Sequence, residues 1–435
     1  MGLVTRSREL KRAVGIRRPV RACTLALISI LTLAGNARAQ QLCCREPALE
    51  IAATYRVSEL EDRRFTHERY WNALAPFLDS DRISITVLGE SLEGREIRAL
   101  TLGNGPRSVL LWSQMHGDES AASMALADIV HWFASASASD TLRARLSQAL
   151  TITMIPMLNP DGAERFRREN AMGIDINRDA RRTATPEGRI LKAVRDSIGA
   201  DFGFNLHDQG TRTAGEDGEI VAIALLAPAA DAERSWGPVR QRAREVASVI
   251  VRTLAPDIGT RMARYDDEFT PRAFGDNMQL WGTSTVLIES GELDGDPQKQ
   301  ELRKLNVVAL LGALHAIATE SHASVSTAAY DDLPMNVSLS NDLLLMGGEL
   351  IVGELPPVRA DVAIRFDDSV AGTGARWGEI GDLADTAAAD TVDVSGLFLH
   401  VEPEGDGTIR PGQPAEFVVR RGRDPASGEV LTIGP

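Results

Sequence analysis

Cysteine is scarce in this sequence, and the positions of the few cysteines exclude a thiolate metal site. Three occur: Cys23 near the N-terminus, and the adjacent pair Cys43 and Cys44. Neighbouring cysteines lack the spacing of a Cys-x-x-Cys zinc site, so the pair either forms a disulfide, with itself or with another chain, or stays reduced. Hydrophobic residues make up 43% of the chain, which is enough for a large core that does not depend on disulfides.

Several motifs that mark other classes of protein are also absent. No Gly-x-Ser-x-Gly elbow occurs, which argues against a serine hydrolase. No glycine-rich phosphate loop opens a predicted helix, which argues against a nucleotide enzyme. The chain has a net charge of −14 and shows no stripe of basic residues, so nucleic-acid binding is not expected. Beyond the N-terminal segment no apolar run reaches the ~20 residues of a spanning helix, so stable membrane insertion is not expected.

The first 39 residues have the pattern of a secretory signal peptide. Basic residues crowd positions 6–21, an apolar run follows over 23–35, and a small-x-small cleavage signal ends at Ala39. The alternative is a membrane anchor, which is disfavoured because the run is shorter than the ~20 residues that a spanning helix needs. We therefore predict cleavage near Ala39 and a secreted or periplasmic mature chain.

Residues 40–320 alternate between apolar strands and helices, and this rhythm predicts a catalytic domain of α/β class. The expected architecture is a mostly parallel or mixed twisted sheet with helices on both faces. The domain begins with a helical stretch over 46–82 and two short strands, 83–88 and 95–102, and the alternation of strands and helices follows them. The further predicted strands span 108–114, 150–157, 202–206, 219–226 and 284–288, and the further predicted helices span 120–135, 186–197, 237–253 and 298–318.

The composition shifts near residue 320. Residues 321–335 begin with small polar side chains and are predicted to be a linker. Residues 336–435 contain short apolar stretches divided by Gly and Pro, which predicts a small β-rich accessory domain with a structural or targeting role. Its predicted strands span 342–346, 349–352, 360–366, 397–401 and 415–419.

Four side chains of metal and acid–base type stand at the ends of predicted strands. His116 and Glu119 form His-x-x-Glu just after one strand, His207 ends another, and Glu289 ends a third. In open α/β sheets ligands bind at the carboxyl ends of the strands. Two His and a carboxylate form a catalytic zinc set that leaves a position for water, and a second carboxylate can take the proton of that water. In the structural alternative, His116 caps the start of a helix and Glu119 lies in the first turn, where the helix dipole favours an acidic side chain. His207 is then a loop histidine whose hydrogen bonds are satisfied within the protein.

Arginines follow the second strand of this region. Asn159-Pro160-Asp161-Gly162 precedes Arg167 and Arg168, and the pair Asn177-Arg178 comes soon after. Arginine suits forked recognition of a carboxylate and stabilisation of an oxyanion. Near a metal edge these residues therefore suit a substrate that carries a free carboxylate.

Taken in order, these motifs resemble the M14 family of zinc carboxypeptidases over roughly residues 55–318. The resemblance implies a carboxypeptidase-like fold and one Zn²⁺ per chain, held by His116, Glu119 and His207. It also implies that Glu289 is the catalytic glutamate that activates a metal-bound water.

The resemblance extends to the substrate side of the site. It implies that Arg168, with Arg167 as the second choice, polarises the scissile carbonyl. Asn177 and Arg178 would grip the terminal carboxylate, and Tyr265 would close over the substrate. Asp179, the Asp208-Gln209 pair and a second acid at Glu292 depart from the familiar pattern.

The sequence therefore predicts a metallocarboxypeptidase that hydrolyses the C-terminal bond of peptides with a free carboxylate. Two alternatives stay open. One is an enzyme for cell-wall peptides with D-residues or diaminopimelate, or for N-acyl amino acids. The other is a zinc-bearing protein that binds without catalysis.

Overall fold

The computed structural model describes residues 44–216, 218–402, 408–423 and 430–431. The predicted signal peptide, residues 1–39, lies outside the described residues, as does Cys43. Within the described part, no helix combines the length and the apolar character needed to cross a membrane.

The helices and strands are numbered in chain order. The α-helices are 44–54 (α1), His67–Leu78 (α2), Ala121–Ser135 (α3), Thr141–Ala149 (α4), Pro160–Arg165 (α5), Pro186–Ile198 (α6), Pro238–Ile258 (α7), Phe274–Leu280 (α8), Gln300–Ala318 (α9) and Ala328–Asp331 (α10). The first nine strands are Ile83–Glu90 (β1), Glu96–Leu102 (β2), Arg107–Trp112 (β3), Leu150–Ile155 (β4), Phe202–Asp208 (β5), Arg212–Ala214 (β6), Ile223–Leu226 (β7), Met262–Arg264 (β8) and Ser284–Ser290 (β9). The later strands are Asn336–Ser338 (β10), Asn341–Met346 (β11), Glu349–Val352 (β12), Val358–Arg359 (β13), Asp361–Asp368 (β14), Thr373–Gly381 (β15), Ala388–Asp393 (β16), Phe398–Val401 (β17), Val418–Arg420 (β18) and Val430–Leu431 (β19).

A central sheet of eight strands in the order β1-β2-β4-β3-β5-β9-β7-β8 forms the α/β part. The inner pairs β4–β3, β3–β5 and β5–β9 are parallel, as is the edge pair β7–β8. The pairs β1–β2, β2–β4 and β7–β9 are antiparallel. The prediction of a mixed α/β sheet is confirmed. Since β5 and β9 are parallel neighbours, His207 pairs with Glu289 across the register.

Helices cover both faces of this sheet, as predicted. The strand β3 shows why, because its apolar side chains alternate between two cores. Val109 and Leu111 belong to a large cluster with α2, α3, α7 and α9. Leu110 and Trp112 belong to a second cluster with α6 and α8. All four side chains are fully buried.

The helical stretch predicted over 46–82 is wrong as one continuous element. Two helices, α1 and α2, are separated by a short 3-10 turn at Ser58–Leu60 and an irregular segment. Thr66 ends that segment, because its side chain accepts a hydrogen bond from Arg69 N and so caps α2. Helical periodicity alone did not show this break.

Two small sheets make up the C-terminal part, with strand orders β15-β14-β11-β16 and β13-β12-β17-β18-β19. They share a core that includes Leu345, Trp377 and Leu399. The strands β15 and β16 were not predicted from the sequence. The last predicted strand, 415–419, appears instead as Val418–Arg420.

Residues 321–336 join the two parts through packed structure. Ser321–Ser324 and α10 are helical, and the buried Tyr330 hydroxyl accepts a hydrogen bond of 3.0 Å from Ala227 N. The strand β10 then pairs with β6 of the α/β part. The domain boundaries drawn from the sequence, at 40–320, 321–335 and 336–435, stay predictions.

Candidate active site

The loop that carries His116 and Glu119 is held in place by the Asn159-Pro160-Asp161-Gly162 motif. The Asn159 side chain accepts a hydrogen bond of 2.9 Å from Gly162 N and so caps α5. Its amide nitrogen donates to Met115 O at 3.3 Å. A Cβ on Gly117 would lie 2.0 Å from Gly162 C, so only glycine fits there. The motif therefore positions the loop that carries His116 and Glu119.

Three buried side chains from β5 and from the loop after β3 meet at one point. His116 Nδ1 lies 2.8 Å from Glu119 Oε1, and His207 Nδ1 lies 2.6 Å from Glu119 Oε2. The two Nδ1 atoms are 3.2 Å apart. One ligand atom from each residue falls within 4.8 Å of the others, in a group that could hold a metal ion.

This donor set fits a zinc ion. Tetrahedral ligands at ~2.1 Å from zinc lie ~3.4 Å from each other, close to the 3.2 Å between the two imidazole nitrogens. His116 Nε2 lies 3.1 Å from Asp175 Oδ1, so an Nε2–H donated to this carboxylate leaves the Nδ1 lone pair for a metal. With two His and one carboxylate, the arrangement is that of a catalytic site with a position left for water.

The group is electrostatically coupled. Burial alone would raise the pKa of Glu119, but the imidazoles of His116 and His207 outweigh it and hold the pKa below its usual range. Burial would lower the pKa of His116, yet the carboxylates of Glu119 and Asp175 raise it to about 9. Burial lowers the pKa of His207 despite Glu119. Glu119 is therefore ionised between the two imidazoles, as a carboxylate ligand of a divalent cation must be.

Glu289 is the penultimate residue of β9 and lies beside this group. Its Oε2 atom is buried and has no hydrogen-bond partner among the described residues. Burial, followed by the charge of Glu119, raises the pKa of Glu289 well above its ordinary value. A buried carboxyl oxygen without a partner is costly unless something else binds it. Glu289 is therefore suited to exchange a proton with a ligand in the cleft.

Arg168 lies directly against the group formed by His116, Glu119 and His207, which is called the metal group below. Its Nη1 atom lies 3.1 Å from His116 Nδ1, and its Nη2 atom donates to Asp175 Oδ2 at 2.9 Å. Arg167, the second choice from the sequence, is exposed and does not line the cleft. Of the two arginines, the structure brings Arg168 to the site.

Asn177 and Arg178 form a short 3-10 turn at Ile176–Arg178 beside the same group. Asn177 is buried; its Oδ1 accepts a hydrogen bond of 2.8 Å from Phe274 N, and its Nδ2 lies 3.5 Å from His207 Nε2. Arg178 is exposed and donates to Asn177 O at 2.8 Å. Much of its guanidinium is thus left to face a ligand.

Tyr265 follows β8 and is half-buried. The Arg212 guanidinium lies over its ring, 5.1 Å from the centroid. Burial and the nearby Glu289 raise the pKa of the Tyr265 hydroxyl, which therefore stays protonated.

All eight predicted site residues line one cleft of about 920 Å³.

Two residues of the site were missed by sequence reasoning. Asp175 contacts both His116 and Arg168; an acid two positions before Asn177 was the signal that could have found it. Lys299 is 2% exposed and donates to Ser290 O at 3.0 Å, while its Nζ lies 3.5 Å from Asp208 Oδ2. No local motif marks Lys299, because the charge that it lies beside, Asp208, is remote in sequence.

The three departures from the family pattern have structural partners. Asp179 accepts hydrogen bonds of 2.8 Å from Thr185 N and from Thr185 Oγ1, next to the start of α6. Asp208 accepts from Ala121 N at 3.2 Å, at the start of α3. Glu292 accepts from Thr211 and Ser369, at 2.8 and 2.9 Å. These acids therefore have fixed partners in the fold.

Comparison with known proteins identifies one family. Residues 68–211 match the family described as zinc carboxypeptidase, which confirms the resemblance predicted from the sequence. That range contains the His116, Glu119 and His207 group and ends before Glu289.

Individual relatives are distant. A curated protein of Zymomonas mobilis, described as uncharacterized, is 29% identical over 147 residues, or 33% of this chain and 38% of that protein. A metallo-carboxypeptidase from Burkholderia cenocepacia is 22% identical, covering 59% of this chain and 70% of its own, with a TM-score of 0.48. A metallo-carboxypeptidase from Pseudomonas aeruginosa, solved in complex with (2-guanidinoethylmercapto)succinic acid, is 20% identical over 59% and 70% of the two chains, with a TM-score of 0.42.

Proposed function

We propose that the chain is a metallocarboxypeptidase, which uses one Zn²⁺ held by His116, Glu119 and His207 to remove the C-terminal residue of peptides. The observation that carries this proposal is the convergence of three buried donors beside Glu289, a carboxyl group whose buried oxygen has no partner among the described residues. The match to the zinc carboxypeptidase family over residues 68–211 supports it.

A bound zinc ion would act as a Lewis acid and would lower the pKa of a coordinated water. The remaining chemistry belongs to the side chains around it. Glu289 takes a proton from the attacking water and delivers it to the nitrogen of the leaving residue, as a general base and then a general acid. Arg168 donates hydrogen bonds to the oxygen of the scissile carbonyl, where negative charge develops.

Cleavage at the end of a peptide requires a group that holds its terminal carboxylate. Arg178 is exposed on the cleft and keeps guanidinium nitrogens for this purpose. The Asn177 amide is fixed by Phe274 N, which orients its Nδ2 toward the metal group and the cleft. Tyr265, held under Arg212, covers the substrate from the other side.

Substitution of Glu289 by Gln tests the proposal. The variant should bind zinc as the parent does, because Glu289 is not a ligand, but its kcat on peptides should fall by about 10²–10⁴, as expected for loss of acid–base catalysis. Metal analysis and a peptide assay with varied terminal residues measure both. His116→Ala is the matched variant that should lose zinc. Full turnover by Glu289→Gln would contradict the assignment of the base.

We also propose that the mature chain acts outside the cytoplasm, as the signal-like pattern of residues 1–39 suggests. Fractionation of expressing cells, with mass measurement of the product, tests this. A product that begins near Gln40 in the periplasm or medium supports the proposal, and an uncleaved cytoplasmic product contradicts it.

A further inference from the structure

The cleft has a wall that comes from the C-terminal sheets. Residues 369–372 form the turn between β14 and β15 and are called the β14–β15 turn below. Ser369 and Val370 of this turn line the cleft, together with Asp367 and Asp368 before it. The accessory part of the chain thus faces the same space as the metal group.

Two polar contacts hold the β14–β15 turn on the α/β part. Arg63 pairs with both carboxylate oxygens of Asp368, with side-chain exposures of 8% and 14%. Arg64 donates to the same carboxylate at 3.0 Å. The charges of Arg63 and Asp368 are largely buried, and they compensate each other while the turn stays in place.

The second contact lies just beyond the strands that carry the site. Ser369 Oγ donates to Glu292 Oε1 at 2.9 Å, and Thr211 Oγ1 donates to the same oxygen at 2.8 Å. A Cβ on Gly210 would lie 3.3 Å from Ser369 Oγ, so the turn closely approaches the chain after His207. The β14–β15 turn is therefore a fixed wall of the cleft, held by side-chain contacts.

The β14–β15 turn and the proposed carboxylate site come from different parts of the chain and both line the cleft. Among the described residues, no hydrogen bond or ion pair joins it to Asn177 or Arg178, whose contacts are with Asp175, His207, Phe274 and each other. If the terminal carboxylate lies at Arg178 and the scissile bond at the metal, the amino-side part of the substrate leaves toward another wall of the cleft. The β14–β15 turn supplies that wall.

We propose that the β14–β15 turn bounds the subsites for residues on the amino side of the scissile bond, and thereby restricts the enzyme to short, unfolded peptides. This inference rests on the proposed carboxypeptidase function. A cleft of about 920 Å³ is at the upper end of the ~300–1,000 Å³ found for ligand pockets, which suits a few residues and not a folded chain end.

Binding to the Glu289→Gln variant tests the wall without turnover. The probes are zinc-loaded protein and N-acetylated peptides of two and five residues with the same C-terminal pair. Val370→Trp should weaken binding of the longer peptide about tenfold, because the larger side chain would occupy part of its subsite. Binding of the shorter peptide should stay within about twofold. Ala371→Trp is the matched control, because Ala371 is exposed on the same turn and does not line the cleft; it should change neither.

The outcomes separate the inference from the function on which it rests. If Glu289→Gln binds both peptides and Val370→Trp weakens both equally or neither, the wall is refuted while the carboxypeptidase function stands. If Glu289→Gln binds neither peptide, both are refuted.

A shortened turn provides the converse test in the active enzyme. Asp368 pairs with Thr373, so residues 369–372 can be replaced by Asn-Gly, which favours a two-residue hairpin turn. Thermal unfolding checks that this variant folds. The ratio of kcat/KM for the five-residue peptide to that for the two-residue peptide should rise about tenfold when the wall is removed. An unchanged ratio in a folded variant would overturn the proposal.

Discussion

Asp175 controls the orientation of a proposed metal ligand. Its carboxylate lies 3.1 Å from His116 Nε2 and also accepts from Arg168. Outer partners of this kind typically contribute ~10–100-fold to metal affinity, because they fix the tautomer and the ring orientation. Asp175→Ala should therefore weaken zinc binding by about this factor, measured by competition with a chelator.

A matched control comes from an acid on the same cleft. Asp266 is exposed and lines the cleft, and its ion pair is with Arg234. Asp266→Ala should leave zinc affinity within about twofold, as expected for a surface pair. Equal losses in both variants would mean that the general negative charge of the cleft, and not the contact with His116, sets the affinity.

Lys299 places a positive charge beneath the ends of β5 and β9. Its ammonium contacts Ser290 O and lies beside Asp208, and all of these groups are buried. Removal of one partner leaves the other charge uncompensated, so Lys299→Met should lower the free energy of unfolding by roughly 3–5 kcal/mol. Denaturant titration measures the change.

A double substitution distinguishes charge compensation from simple packing loss. If the cost of Lys299→Met comes from the stranded Asp208 carboxylate, then adding Asp208→Asn should recover part of it. Additive costs in the double variant would show that the two side chains do not depend on each other.

At the scale of elements, the site depends on the close approach of the loop after β3 to α5. Gly117 is the contact point, since a Cβ there would lie 2.0 Å from Gly162 C. Gly117→Ala should separate the two segments, lower the free energy of unfolding by about 1–3 kcal/mol and weaken zinc binding. Gly237→Ala is a suitable control, because its Cβ would meet nothing within 4 Å. Equal effects of the two substitutions on zinc affinity would contradict this reading.

The elements around the site were predictable because they are apolar and local in origin. The buried strands β3, β5 and β9 each have an apolar core, and His207 and Glu289 follow from where the apolar part of β5 and of β9 ends. The strand β15 was not predicted, since Gly374, Gly378 and Gly381 interrupt the alternation of apolar and polar residues that marks a strand. Its extended conformation depends on hydrogen bonds to β14. Lys299 escaped prediction for a similar reason, because its role comes from partners across the fold.

At the scale of the whole molecule, the two parts of the chain share one cleft. The strand pair β6–β10 joins them at one place, and the Arg63–Asp368 contact joins them at another. Sequence composition predicted a separate accessory domain with a structural or targeting role. The contacts place its β14–β15 hairpin at the cleft, a location that a composition shift cannot reveal.

The Arg63–Asp368 pair should therefore hold the hairpin β14–β15 in place. Arg63→Met leaves the Asp368 carboxylate with the exposed Arg64 and with the Ala371 N–H of the turn itself, so amide hydrogen exchange over 366–375 should accelerate, while β5 and β9 stay protected. Arg376→Ala removes an exposed pair with Asp367 on the same hairpin, and exposed pairs contribute at most about 1 kcal/mol. If both variants leave exchange at the turn unchanged, the hairpin is held by its own sheet and the cleft wall does not depend on the α/β part.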